Sequence, residues 1–568
     1  MLQASSVRSV PLPVARFRGT SMTTTREEPA AQLSHRQILV IFSGLMLGML
    51  LAALDQTIVA TALPTIVSEL GGINHLSWVV TAYLLASTSS TPLYGKISDL
   101  FGRKIVFQTA IVIFLVGSAL SGLAQNMAEL IAFRGLQGLG AGGLIALAMA
   151  IIGDILSPRD RGRYQGYMGG VFGLASVAGP LLGGFFVDNL SWRWVFYINL
   201  PIGAVALLVT SVVLNLPFRR VRHSIDYLGA ALLVAGVTAV LLVTVWGGDE
   251  YPWASPQVIG LSVAGVLLLT AFVVQERRAA EPILPPRLFR DPVFRVGSGL
   301  LFIVGLTMFG AIVFLPLYLQ VVKGASATNS GLLLLPLMAG LLVSSITSGR
   351  LISHTGRYKV YPLVGTAVMT LGLFLLSRMD VATSRAQSSL FMVVLGLGIG
   401  LVMQVPILAI QNAVPWRDLG TATSAANFFR SMGGSFGVAI FGAVLSNRLA
   451  YYLPRLLPAR ALGDGLDPQA LRASAAQLRA LPPAVQHAVV ETIARSVHVV
   501  FMTAVPLGAL AFLVAVFLKE LPLRRSAHIG ADDVAESVAL AAPAAPPRLD
   551  GPAEGEAPAT DPRPRRAT

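Results

Sequence analysis

Some fourteen stretches of about 20 apolar residues follow one another along this chain, each nearly free of charge, and they leave few folds open to it. They run over 38–65, 76–95, 104–124, 127–154, 164–187, 194–216, 226–247, 257–275, 294–319, 330–352, 360–378, 388–413, 423–447 and 498–518. About 20 apolar residues in a helix span the hydrocarbon core of a bilayer, where backbone amides can pair only with one another. No charged residue lies between Arg163 and Asp188, between Arg193 and Arg219, or between Glu250 and Glu276. Charged residues make up 12% of the chain and hydrophobic ones 54%, whereas a soluble domain carries about 25% charge. The 568 residues therefore read as one polytopic, all-α integral membrane protein. The chain has no cysteine, which excludes a disulfide framework, a thiolate zinc site, an iron–sulfur cluster and a cysteine nucleophile.

The net charge of +14 suits a nucleic-acid binder only if the cations cluster on a soluble face, and here they alternate between loops. One set holds Lys96, Arg103 and Lys104, then Arg159, Arg161 and Arg163, then Arg219, Arg220 and Arg222. It continues with Arg277, Arg278, Arg287 and Arg290, then Arg350, Arg357 and Lys359. The opposite loops 66–75 and 248–256 have no Arg or Lys, and 320–329 has only Lys323. The excess of positive charge marks the cytoplasmic side of a cell membrane, so both termini are expected there, with no nucleic acid as partner. Residues 1–37 form a polar cytoplasmic segment, without a signal peptide's apolar core, and a start at Met22 is expected to lose nothing structural. The tail 519–568, rich in Ala, Pro and charge, reads as disordered. In the external segment 448–497, residues 468–480 and 484–497 have helical spacing around Pro482-Pro483, which predicts short amphipathic helices at the outer surface.

The chain also repeats itself. Gly95-Lys96-Ile97-Ser98-Asp99-Leu100-Phe101-Gly102-Arg103-Lys104 follows the second run, and Gly349-Arg350-Leu351-Ile352-Ser353-His354-Thr355-Gly356-Arg357-Tyr358 follows the tenth. Leu63-Pro64 is echoed by Leu315-Pro316. Two six-helix halves, 38–216 and 294–518, with two inserted helices and their linkers in 217–293, account for both echoes. Internal repeats of this kind belong to transporters whose site lies between the halves.

Asp55 and Arg134 lie deep in the first and fourth runs. Ionisable groups at such depth are costly, so they should face a cavity and pair. Burial raises a carboxyl's pKa while a nearby guanidinium lowers it. Either a fixed ion pair or a carboxyl that gains and loses a proton satisfies that balance. Gln137 lies one turn from Arg134 on a glycine-rich helix that permits close packing. Gly170, Gly173, Gly179-Pro180 and Gly183-Gly184 predict a fifth helix that is bent, tightly packed, or both. Asp99 beside Arg103 and Lys104, with Asp154 within reach, has the makings of a latch at the inner surface.

These residues together give the chain a specific resemblance. Leu54-Asp55-Gln56-Thr57-Ile58-Val59 with Ala62-Leu63-Pro64, the loop Gly95 to Lys104, Arg134-x-x-Gln137-Gly138 and Gly179-Pro180-x-x-Gly183-Gly184 resemble motifs of the major facilitator superfamily, and within it of the fourteen-span drug:proton antiporters. That resemblance implies the major facilitator fold, two six-helix bundles plus two inserted helices. It also implies proton-coupled export of amphiphilic small molecules by alternating access. Asp55 and Arg134 would couple protons, and Gly95, Asp99, Gly102, Arg103, Lys104 and Asp154 would form the inner latch. Gly179, Pro180, Gly183 and Gly184 would be the antiporter signature. Leu100 and Ser353 depart from the loop pattern, and the tenth and thirteenth runs hold no acid.

Trp78, Tyr83, Gln137, Gln404, Asn412 and Arg430 are candidates to line a substrate cavity. No cofactor is expected beyond the proton gradient, there is no metal site and no phosphate-binding loop, and a monomer in the lipid bilayer is the expected form. A dedicated exporter of a single self-made antibiotic, lipid or siderophore fits the same residues. An enzyme does not fit, because the histidines 35, 75, 223, 354, 487, 498 and 528 lie in loops or near helix ends and no nucleophile–base pair stands out.

Overall fold

The computed structural model describes residues 35–70, 76–214, 226–248, 250–325, 327–457 and 482–524. The first lobe contains α1 (His35–Leu70), α2 (Leu76–Phe101), α3 (Arg103–Leu123), α4 (Met127–Ile155), α5 (Pro158–Asn189), the one-turn α6 (Trp194–Tyr197) and α7 (Asn199–Val213). The inserted pair is α8 (Tyr227–Trp246) and α9 (Pro256–Arg278). The second lobe contains α10 (Pro292–Leu317), α11 (Ala327–Leu333), α12 (Leu335–Thr355), α13 (Val360–Ser377), α14 (Arg385–Val402), α15 (Val405–Ala413), α16 (Leu419–Leu456) and α17 (Pro483–Val516). Among the described residues no strand forms.

Among the described residues, thirteen helical segments are long and apolar enough to cross a membrane. The fourteenth run expected from the sequence forms α2, whose segment Ser87-Thr88-Ser89-Ser90-Thr91 lowers its hydropathy and leaves it outside those thirteen. α2 keeps its hydroxyls inside the protein, packed on α4 and α16. Ser90 and Thr91 donate to the carbonyls of Leu139 and Gly142 in α4 at 3.4 and 3.0 Å.

Local signals set the helix ends. Asn126 accepts from the Glu129 amide, and Ser157 accepts from the Asp160 amide with Pro158 in the first turn. Such caps satisfy N–H groups that have no partner within the helix. Ser384 and Gln387 form a reciprocal capping box at the start of α14. Gly102 (φ 95°) and Gly356 (φ 73°) occupy equivalent places in the two repeated loops. Side chains strongly disfavour those angles, so glycine lets the chain turn sharply there.

Each lobe has its own apolar core. The first core continues through Ile407, Ile410, Ala422 and Ala425 of the second lobe, so the lobes meet near the Arg- and Lys-rich ends of their helices, here called the basic end. α2 packs on α16 and α5 on α12 across this seam. A side chain at Gly162 would run into the Gly349 carbonyl.

Three expectations change. Residues 484–497 are not separate surface helices but the first part of α17, a continuous helix of 34 residues. Val485, Val489, Ile493 and Val497 are buried in the second core, and apolar contact along that face favours one long helix. Residues 468–480 lie outside the described set. His498 is mid-helix, half-buried and bonded to the Ser377 carbonyl, not near a helix end. The start of the tail is ordered: the Tyr358 hydroxyl donates to the Lys519 carbonyl at 2.9 Å, and Glu520 accepts from the Tyr358 amide at 2.9 Å. Residues 525–568, like 1–34 with Met22, lie outside the described set.

Candidate functional site

Asp55 sits near the middle of α1 and faces α4 and α7 inside the first lobe. Its Oδ2 lies 2.6 Å from Arg134 Nη1, with the two side chains 0% and 2% exposed. Gln137 Nε2 donates to Asp55 Oδ1 at 2.8 Å, and Gln137 Oε1 accepts from Arg134 Nη1 at 2.7 Å. Arg134 Nε donates to the Val79 carbonyl at 3.2 Å, and the guanidinium lies over the Tyr83 ring, 4.2 Å from its centre. The closed triangle of Asp55, Arg134 and Gln137 needs positions 134 and 137 one turn apart on a single helix face. The expected pairing therefore forms, but within the bundle and away from any exposed surface.

Asn199, at the start of α7, was not singled out from the sequence. Its Nδ2 donates to Asp55 Oδ1 at 3.2 Å and to Ser118 Oγ at 3.0 Å, and Ser118 in turn donates to the Phe196 carbonyl at 2.9 Å. The only sequence signal was an Asn within an apolar run. Asp55 thus accepts hydrogen bonds from three side chains, all belonging to its own lobe.

The second cluster joins the lobes at the basic end. Arg103 pairs with Asp99 at 2.6 Å and with Asp154 at 2.8 Å. The free oxygen of Asp99 crosses the seam, accepting from the Thr421 amide at 2.9 Å and from the Thr421 hydroxyl at 2.8 Å. Thr421 lies in the first turn of α16, where a carboxylate meets unpaired N–H groups and the positive end of the helix dipole. Gly95 packs against Ser424, and a side chain at Gly420 would fall on Arg103 and Asp99. Lys104 is not brought into this cluster: it reaches the Ser211 carbonyl at 2.7 Å.

Further ties across the seam were missing from the sequence reading. Arg161 is buried, with Nη1 2.5 Å from Gln411 Oε1. Gln411 Nε2 donates to the Met149 carbonyl at 3.2 Å and to Thr423 Oγ1 at 2.9 Å. Arg159 donates to the carbonyls of Ser353 and His354, at the end of α12, at 3.0 and 2.9 Å. The segment after α9 also reaches both lobes, through Lys96–Glu281 at 3.2 Å and Arg287–Asp418 at 2.8 Å. The hydrogen bond to Asp418 holds the Arg287 guanidinium above its ordinary pKa.

In the glycine signature, side chains at Gly179 and Gly183 would collide with Thr57 and Thr61 of α1. Thr57 Oγ1 donates to the Ala175 carbonyl of α5 at 2.9 Å. α5 is a single helix with Pro180 inside it, and Gly331 of α11 lies against that proline. Gly184 is half-buried beside them.

The cavity candidates scatter. Trp78 stacks edge-on against Trp246 of α8. Tyr83 and Gln137 belong to the Asp55 cluster. Asn412 is bonded to Pro522 and Arg524, so it holds the start of the tail at the basic end. Gln404 is buried at the break between α14 and α15, and Arg430 is buried in α16. Among the described residues no cluster of His, Asp or Glu suits a metal ion.

Two helical lobes, a buried ion pair in one and a polar seam between them are the architecture of a membrane transporter. The chain belongs to the Major Facilitator Superfamily, whose sequence profile matches residues 45–438. It is 45% identical over 513 residues to an uncharacterized MFS-type transporter of Mycobacterium tuberculosis (strain H37Rv), covering 90% of this chain and 73% of that one. It is 41% identical over 443 residues to the multidrug transporter protein MdtP of Bacillus subtilis (strain 168), covering 78% and 81% of the two chains. Its fold matches the proton:xylose symporter XylE with a TM-score of 0.56 at 15% identity, covering 85% of this chain and 96% of that one.

Proposed function

We propose that this transporter exports amphiphilic small molecules across the cell membrane in exchange for protons, working as a monomer with both termini in the cytoplasm. The observation that carries the reading is the buried Asp55–Arg134 pair. Moving an ion out of water costs several kcal/mol, so a buried pair is retained only where its geometry compensates or its charge has a use. Asp55 is the one acid in α1 between the basic end and Glu69, and three side-chain donors hold it in the state seen here. Protonation removes that charge and leaves Arg134 uncompensated. A shape of the lobe that rehydrates Arg134 is then favoured, which links proton uptake to rearrangement.

The seam supports the second half of the reading. Its ties bridge separate lobes through hydrogen bonds and ion pairs at helix ends, which can break without unfolding either apolar core. With the basic end closed, the path would open on the opposite side, and exchange of the closed ends would carry substrate outward. A proton moving down 100 mV releases about 2.3 kcal/mol. At ~150 mV this sustains a substrate gradient of a few hundred-fold per proton, so no cofactor is required. The relationship to MdtP supports breadth of substrate.

The test uses everted membrane vesicles energised by a proton gradient. Asp55→Asn is expected to insert normally and to lose uphill dye export, together with the proton release that substrate evokes. Undiminished uphill export by this variant would remove the coupling role.

A further inference from the structure

The two lobes treat their buried arginines differently. Arg134 has Asp55, Gln137, a carbonyl and an aromatic ring around it. Arg430 is 6% exposed, forms no hydrogen bond or ion pair among the described residues, and has Nη1 buried without an acceptor. It lies 11 residues into α16, about 16 Å from the basic end of that helix. No helix from α10 to α16 contains an Asp or Glu. The single acid of α17, Glu491, is held by Arg495 at 2.8 Å. In the first lobe, Asp55, Asp99 and Asp154 are all engaged by arginines.

The position of Arg430 points toward the path between the lobes. Residues 423, 427 and 430 share one face of α16 by helical spacing. Thr423 binds Gln411, and Asn427 Nδ2 lies 3.4 Å from Met149 Sδ of the first lobe. Arg430 therefore sits one turn beyond the last contact that closes the basic end. Asn427 Oδ1 is also buried without a partner. The side-chain amide of Gln404 forms no hydrogen bond among the described residues and sits where α14 breaks before α15. Broken helices with free polar groups mark substrate sites in transporters built from repeats.

We propose that Arg430 is the recognition point for an anionic group on the substrate, so that amphiphiles carrying a carboxylate or sulfonate form a preferred class. An isolated guanidinium at this depth is unfavourable, and a bidentate anion satisfies its planar donors. The side-chain amide of Gln404 adds a neutral donor to the same group, and the Asn427 amide is already engaged by the Thr423 carbonyl and Met149 Sδ. The proposal rests on the efflux reading above and adds the sign of charge to it.

The test reconstitutes the full chain in proteoliposomes under a proton gradient and compares two dyes, anionic anilinonaphthalene sulfonate and cationic ethidium. The native protein is expected to export the anion uphill. Arg430→Gln should lower its kcat/KM about ten- to a hundredfold, mainly through KM, and so shift the preference between the two dyes toward ethidium. Arg430→Lys should keep part of the anion transport. Thermal melts in detergent separate recognition from structure: losing an unpaired buried charge should leave the melting temperature of Arg430→Gln equal or higher. A lower melting temperature, with both dyes falling in parallel, would make Arg430 a structural residue and overturn the proposal. Uphill export of the anion unaffected by Arg430→Gln would overturn it as well, leaving the efflux reading standing. If the native protein moves neither dye uphill, the efflux reading fails first.

Discussion

At Asp55 and Arg134 a few tenths of a nanometre separate two meanings of the same charges. Held at 2.6 Å and removed from water, the pair is worth much to itself and little against an apolar replacement. Asp55→Leu should therefore destabilise the protein by about 3–5 kcal/mol, because the Arg134 charge is left alone. The double change Asp55→Leu with Arg134→Met should recover most of that loss, since both ions then leave together. Thermal denaturation in detergent reads both numbers. Equal losses in the single and double variants would show that the two charges are not energetically coupled. Both partners were legible in the sequence, since ionisable residues stand out in apolar runs. Asn199 and Ser118 were not, because neutral polar residues are common in membrane helices and the sequence carries no mark of which one faces an acid.

At the scale of helices, glycine sets how closely α1 and α5 approach. Gly179→Ala places a methyl group on Thr57, whereas Gly135→Ala in α4 meets nothing within 4 Å. The first is expected to cost about 1–3 kcal/mol through overpacking. The second should be neutral or slightly stabilising by helix propensity, up to about 1 kcal/mol. Melting temperatures of the two variants check the contrast, and equal effects would show that the α1–α5 contact is looser than described. Helix boundaries followed the sequence closely where caps are local, as at Ser384 and Gln387. They failed at α17, where polar spacing suggested short surface helices but burial of Val485 to Val497 against the second core made one long element. Amphipathic spacing does not say whether the apolar face meets lipid, water or another helix.

For the whole molecule, the seam at the basic end predicts mobility between lobes. The chain has no native cysteine, so introduced thiols can be read without background. Gly169 faces Leu342 across the α5–α12 contact, 3.2 Å from an added Cβ. Gly169→Cys with Leu342→Cys is expected to be joined by a short thiol-reactive linker, to lose transport when joined, and to regain it on reduction. Continued transport in the joined protein would exclude rocking of the lobes about this contact.

The sequence by itself determined the solvent, the number of crossings, the two-lobe plan and the residues that carry charge into the membrane. These follow from hydropathy, charge placement and repetition, which are local or periodic properties of the chain. Tertiary structure alone decided what those charges meet. Asn199 reaches Asp55 across 144 positions and Thr421 reaches Asp99 across 322. Such meetings depend on helix rotation and depth to within about an ångström, the tolerance of a hydrogen bond. Arg430 is the converse case: its charge and the lack of an acid in the helices around it were plain in the sequence, while its burial without a hydrogen bond among the described residues emerged only once the helices were packed.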